Sequence, residues 1–233
     1  MALFSGGCGQ QLASVVLGPV PTVVPPTDPL TPGPSPDSFP LQVAYKLLLA
    51  DGRNEILLAS NACSGQATIR YQTSVPDLYE GIMGFSTTQT ITFNATQCSV
   101  LALPLDKTFH VDARYAPIGE SFAARDYGVL TGAIVDLPST IRLSDTMTYA
   151  TLRMYTDSTR SVPAGSRLLS YAAEMDTIST LLLALTARDF DNAGALKRTR
   201  TDRFRLRGNG TMSLRAIDYQ DHSTGQVLNL RAP

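Results

Sequence analysis

Basic residues are missing from the start of the chain. The first 45 residues contain no lysine or arginine, and their only acids are Asp28 and Asp37. A segment that packages nucleic acid needs cations, because most of its contacts are made with phosphates. We therefore do not expect the opening segment to bind a genome.

Glutamate and lysine are scarce along the whole chain. There are four Glu against 16 Asp and three Lys against 16 Arg, together with 25 Thr. Since Glu and Lys favour helices and Thr favours strands, this balance predicts an all-β body with many turns. A GC-rich genome would also produce an arginine excess, so that part of the pattern has a second explanation.

Charge is low as well: the formal net charge is −1, and charged residues make up 17% of the chain, against about a quarter in most soluble domains. This argues against a strongly nucleic-acid-binding or acidic disordered chain.

No apolar run approaches the roughly 18 residues of a membrane helix, so we expect no membrane span. Residues 1–18 lack the basic start of a signal peptide, so we expect none.

The three cysteines, Cys8, Cys63 and Cys98, lack the paired spacing of a zinc site. Cys63 and Cys98 could form a disulfide in an oxidising compartment, or all three could be buried thiols. The second explanation is favoured because a single bridge would leave Cys8 over. No metal site and no cofactor are expected.

Proline, in contrast, is concentrated: nine of the fifteen prolines lie between Pro19 and Pro40. Such a segment cannot form a helix or a central strand. At about 3.1 Å per residue, its 22 residues would extend about 68 Å. An arm of this length can reach a neighbouring molecule.

We therefore divide the chain into an N-terminal arm, residues 1–40, and a body, residues 41–233. The arm comprises a short apolar segment, 2–18, and the extended segment, 19–40. The apolar segment either is buried by a partner or folds back on its own body. Its predicted subunit contacts are Leu3, Phe4, Leu12, Val15, Val16, Pro25, Pro26, Pro29 and Pro34.

Alternating apolar and polar residues predict strands throughout the body. The predicted strands are 41–49, 55–60, 66–73, 88–94, 99–103, 108–115, 128–136, 146–155, 167–172, 178–187, 202–206, 211–219 and 226–230. Residues 118–126 read as a loop or short helix, and Asp51-Gly52 and Asn209-Gly210 as hairpin turns. This predicts an antiparallel β-sandwich, jelly-roll-like, with two small barrels divided near residues 118–139 as the alternative.

Few residues suggest chemistry. His110 and Asp112 would share one strand face, as a metal pair or, more simply, as a surface hydrogen bond. Asp221-His222-Ser223 reads as a polar turn, because sequence neighbours are poorly placed to form a triad. Residues 189–194 resemble the start of a calcium loop, but Ala193 and Arg200 occupy ligand positions, so a turn built on Asx hydrogen bonding is preferred.

One pronounced basic cluster is present, comprising Lys197, Arg198, Arg200, Arg203, Arg205 and Arg207. Arg203, Arg205 and Arg207 recur with period two, which predicts a cationic strand face. This face could contact nucleic acid or an acidic partner, be solvated, or protect a sheet edge. Nucleic acid is the less favoured of these.

The combined features predict a structural subunit of a large assembly and no enzymatic activity. The expected setting is a virion made in a host cytoplasm, with a capsid, decoration or head-tail role. The arm would be exchanged between copies of the chain and contact other assembly proteins. The alternative is a secreted or cell-surface β-sandwich whose body binds a glycan or a protein, with residues 19–40 as a Pro/Thr-rich stalk.

Overall fold

A computed structural model describes residues 38–59, 65–94, 106–122 and 126–233. The predicted arm up to residue 37, the three cysteines and the predicted strand 99–103 lie outside the described residues.

The described chain contains one helix followed by thirteen strands. These elements are α1 (Leu41–Ala50), β1 (Arg53–Ala59), β2 (Gln66–Tyr71), β3 (Val75–Tyr79), β4 (Ile82–Asn94), β5 (Asp106–Asp112), β6 (Pro117–Phe122), β7 (Asp126–Leu130), β8 (Thr146–Tyr155), β9 (Pro163–Thr177), β10 (Thr180–Phe190), β11 (Leu196–Arg207), β12 (Met212–Asp221) and β13 (Gln226–Arg231).

Twelve of these strands form a closed antiparallel barrel. From β4 to β13 each strand pairs with the next, β13 pairs with β1, β1 with β2, and β2 with β4. The prediction of an all-β antiparallel body is confirmed, but the β-sandwich and the jelly-roll order are wrong. Alternation along a strand fits both architectures, and the pairings that close the ring join distant parts of the chain. The described residues of the predicted dividing region, 118–122 and 126–139, lie in β6, in β7 and in the loop after β7, within this one barrel.

Side chains fill the barrel. Along β9, for example, Arg167, Leu169 and Tyr171 are buried while the residues between them are partly exposed. The same alternation places Leu181 and Leu183 of β10 in the core. The inward residues of neighbouring strands therefore form one continuous core.

Helix α1 covers one end of the barrel and contributes to that core. Its buried residues, Leu41, Ala44, Tyr45, Leu48 and Leu49, recur at helical spacing. The Thr87 hydroxyl of β4 donates a 2.7 Å hydrogen bond to the Leu49 carbonyl and fastens the end of the helix. The prediction of a strand over residues 41–49 is wrong, because the apolar positions have a period near 3.6 and not 2. Within the described residues no helix is long and apolar enough to cross a membrane.

Other local predictions have mixed outcomes. Strand β8 has the predicted bounds, and Asn209-Gly210 joins β11 to β12 in a tight turn with a φ of 82° at Gly210. The prediction of a loop or short helix over residues 118–126 is wrong for residues 118–122, which belong to β6. Asp51-Gly52 is not a hairpin turn; it joins α1 to β1.

Strand β3 is the thirteenth strand and lies outside the ring, paired with β4 alone. The two-residue turn between them has positive φ at both Glu80 (50°) and Gly81 (79°), as in a type I′ hairpin. The hairpin lies against the outer face of β5–β7, where the Tyr79 hydroxyl donates a 2.8 Å bond to the Gly128 carbonyl. A Cβ at Gly119 would lie 2.2 Å from Cε1 of Tyr79, so a glycine is needed beneath the hairpin.

Candidate functional site

Side chains alternate between the two faces of β11, so the predicted basic cluster is divided between the inside and the outside of the barrel. Arg198 and Arg200 lie on the inward face of β11, together with the buried Phe204 and Leu206. Arg203, Arg205 and Arg207 lie on its outward face, as the period-two pattern predicts. Lys197 lies beside them near the start of the strand and is exposed.

Two of the three outward arginines, Arg203 and Arg205, have carboxylate partners within the chain. Arg205 donates to Asp176 of β9 at 2.5 and 3.0 Å. Arg203 is paired with Asp218 of β12 and lies 3.5 Å from Glu174. Strand β11 pairs with β10 and β12 on its two sides, so these charges do not protect a sheet edge.

A chain of ion pairs runs through the barrel interior. Its links are Lys107–Glu120 at 3.2 Å, Glu120–Arg167 at 2.7 Å, Arg167–Asp189 at 2.5 Å, Asp189–Arg198 at 2.9 Å and Arg198–Asp126 at 3.1 Å. These residues come from six strands, β5, β6, β7, β9, β10 and β11. Sequence patterns singled out two of them, Arg198 in the basic cluster and Asp189 in the calcium-like stretch. They gave no sign that the six residues meet, because their contacts join strands that are far apart in the sequence.

The central carboxylate of this interior chain is Glu120. Burial alone would raise its pKa, but Lys107 and Arg167 outweigh burial, and the pKa of Glu120 lies below its ordinary value of 4.5. Burial lowers the pKa of Lys107, and Glu120 counteracts that effect. Glu120 is therefore ionised at neutral pH, and its charge favours the charged forms of Lys107 and Arg167.

A second set of buried polar side chains surrounds Arg200. Arg200 donates to both carboxylate oxygens of Asp202 at 2.8 Å and to Oε1 of Gln89 at 2.9 Å. Its Nη1 atom and the Tyr219 hydroxyl are buried without a hydrogen-bond partner, and both residues line a cavity of about 20 Å³. A cavity of this size and polarity has room for one water molecule.

The end of the barrel opposite α1 has a polar mouth of about 270 Å³. Asp126, Asp189 and Arg198 line it, so the interior chain of ion pairs ends at this surface. The three charged groups are already paired with one another in this chain of ion pairs.

A different set of polar residues meets on the outer wall beneath the β3–β4 hairpin. Nδ1 of His110 (β5) lies 2.7 Å from Oδ2 of Asp77 (β3), and its Nε2 lies 3.0 Å from Oγ of Ser121 (β6). The Tyr79 ring stacks on the imidazole with 3.8 Å between centroids. His110 is 9% exposed, and Ser121 is half-buried. We call Asp77, His110 and Ser121 the outer relay.

The outer relay contains one residue that the sequence singled out and two that it missed. His110 and Asp112 were predicted to share a face, but Asp112 instead accepts bonds from the backbone N–H groups of Arg114 and Ala116 in the following turn. Asp77 and Ser121 are separated from His110 by 33 and 11 residues. The pairing of β5 with β6 and the packing of the β3–β4 hairpin against them bring the three residues together.

The remaining polar motifs form turns. Asp191 accepts bonds from the backbone N–H groups of Ala193 and Ala195, which confirms the predicted Asx turn. Asp221 does the same for Ser223, as expected of a polar turn. In the described ranges, no group of three or more His, Cys, Asp or Glu side chains is placed to hold a metal ion.

Comparison of the chain with protein-family models, with curated proteins and with solved structures gave no match.

Proposed function

We propose that the protein is a structural subunit of a larger assembly, in which the N-terminal arm contacts neighbouring copies of the chain. The observation that carries this proposal is the fixed root of the arm. Phe39 exchanges two 2.8 Å backbone hydrogen bonds with Ile141, and its side chain is buried in the core. The proline-rich segment before it therefore starts from a rigid point, and its prolines limit the entropy lost when it is ordered on a partner.

The barrel has the properties of a rigid building block. Its ring leaves the twelve strands without a free edge, its interior is filled, and α1 covers one end. Ion pairs link strands across the interior at Glu120 and Arg167. A close-packed body of this kind has low compressibility.

The β3–β4 hairpin offers the surface on which a neighbour's arm would dock. Strand β3 has one unpaired edge, and Leu78 and Met83 face outward with 63% and 64% of their surface exposed. An extended segment can add to such an edge and cover apolar side chains beside it. Residues 12–17 of another copy, which include Val15 and Val16, have the apolar character this surface requires.

Nucleic acid is not part of this proposal. Arg203 and Arg205 are already paired with acids of the same chain, which reduces the positive field available to phosphates. The virion setting and its localisation stay predictions from the sequence.

Light scattering of two forms of the protein tests the proposal. We expect the full chain to form species larger than a monomer and the form starting at Ser38, which keeps Phe39, to be monomeric. Thermal unfolding of both forms checks that the shorter one is folded. If it is not, the full chain carrying Val15→Asp and Val16→Asp serves instead. Equal masses for the full and altered chains would contradict the proposal.

A further inference from the structure

The outer relay has the connectivity of a nucleophile, a base and an orienting carboxylate. In a Ser-His-Asp arrangement, one histidine nitrogen faces the serine hydroxyl and the other faces the carboxylate, whatever the order in the sequence. Ser121, His110 and Asp77 meet this condition at 3.0 and 2.7 Å. Both distances lie within the range needed for proton transfer.

Hydrogen-bond chemistry fixes the protonation state of the relay. An ionised Asp77 only accepts hydrogen bonds, so Nδ1 of His110 carries the proton and donates it. Nε2 of the neutral ring is then the acceptor, and the Ser121 hydroxyl is the donor. Burial lowers the pKa of His110 despite Asp77, so the ring is neutral and able to act as a base near pH 7.

The hairpin does not depend on this relay for its attachment. Tyr79 bonds to the Gly128 carbonyl, while Glu80 accepts a 2.7 Å bond from the Tyr127 hydroxyl and a 2.6 Å bond from Arg160. These contacts hold β3 in place, and the stacked Tyr79 ring restrains the imidazole. The relay is thus preorganised by neighbours that have no part in proton transfer.

We propose that Ser121 is an activated nucleophile that attacks carboxylic esters. Its Oγ forms a bond to the acyl carbon while its proton moves to Nε2 of His110, and that proton then leaves with the alcohol. Water hydrolyses the acyl-serine by the same route, so that ester and water give acid and alcohol. His110 is the general base, and Asp77 is a positioning residue.

Turnover should be slow. Strand β6 lies between β5 and β7, so its backbone N–H groups are engaged in sheet hydrogen bonds and do not form an oxyanion hole. Acylation and deacylation both pass through an oxyanion intermediate, so both steps are expected to be slow. This activity is separate from the assembly role and departs from the sequence-based expectation of no enzyme.

Covalent labelling of the full-length protein with a fluorophosphonate, read by intact mass and peptide mapping, tests the proposal. We expect one adduct, on Ser121, and none in Ser121→Ala. His110→Gln should lower the labelling rate about a hundredfold or more, and Asp77→Asn should lower it in the same direction. The rate should rise with pH as His110 loses its proton, a dependence that a purely structural relay would not give.

His222 lies in the exposed turn between β12 and β13 and supplies a matched control, because its Nε2 also lies 3.0 Å from a hydroxyl, that of Thr199 in β11. His222→Gln should leave labelling of Ser121 unchanged, and Thr199 should carry no adduct. Circular dichroism checks that each variant is folded. The proposal is overturned by an unlabelled Ser121 in the folded wild-type protein, or by equal labelling rates in wild type and in folded His110→Gln.

Discussion

At the scale of single residues, the energetics of the barrel depend on Glu120. Its two oxygens are bonded to Lys107 and Arg167, and all three side chains are less than 9% exposed. The attraction between buried charges is largely offset by the cost of removing them from water. The pairs therefore add little net stability, but removing one partner leaves another charge buried and unpaired.

We predict that Glu120→Gln lowers the free energy of unfolding by about 3–5 kcal/mol at pH 7, measured by denaturant titration. Glu80→Gln is the control, because its partner Arg160 is about half exposed and an exposed pair contributes about 0–1 kcal/mol. A similar loss in both variants would contradict this account.

The sign of the pH dependence follows from the lowered pKa of Glu120. Its stabilising ionisation is fully present above the ordinary pKa of 4.5 and is lost as pH falls through the lower folded value. The stability difference between wild type and Glu120→Gln should therefore shrink in acid and stay constant between pH 5 and pH 7.

At the scale of elements, helix α1 covers one end of the barrel. Leu49 is 1% exposed and Leu47 is 36% exposed. In a strand, residues 47 and 49 would point to the same side, whereas on a helix they lie about 200° apart. The two leucines thus distinguish the observed helix from the strand that composition favours.

We predict that Leu49→Ala costs about 2–5 kcal/mol of stability by leaving a cavity in the barrel end. Leu47→Ala, on the opposite face of the same helix, should change stability by less than about 1 kcal/mol. Thermal or chemical unfolding of the two variants measures the difference. Equal losses would place both side chains on one buried face and rule out the helix.

At the scale of the whole molecule, local pattern predicts strands and not the way they are joined. The alternation that places β8 within its observed bounds is the same in a sandwich and in a barrel. Closure depends on pairs such as Leu58 with Arg231, which lie at opposite ends of the body.

The candidate site likewise has one part that local sequence pattern predicts and one part that it does not. The outward face of Arg203, Arg205 and Arg207 follows from spacing within one strand. Asp77, His110 and Ser121 belong to three strands, so no local spacing predicts their meeting, and only the scarcity of histidine singled out His110.

The central claim is that the arm of one copy contacts the barrel of another. A photo-crosslinking amino acid at position 15, in an equal mixture of ¹⁴N- and ¹⁵N-labelled chains, measures this contact directly by mass spectrometry. The account predicts crosslinks between an arm peptide of one isotope and a barrel peptide of the other, including peptides that contain Leu78 or Met83. Crosslinks confined to peptides of the same isotope would contradict it.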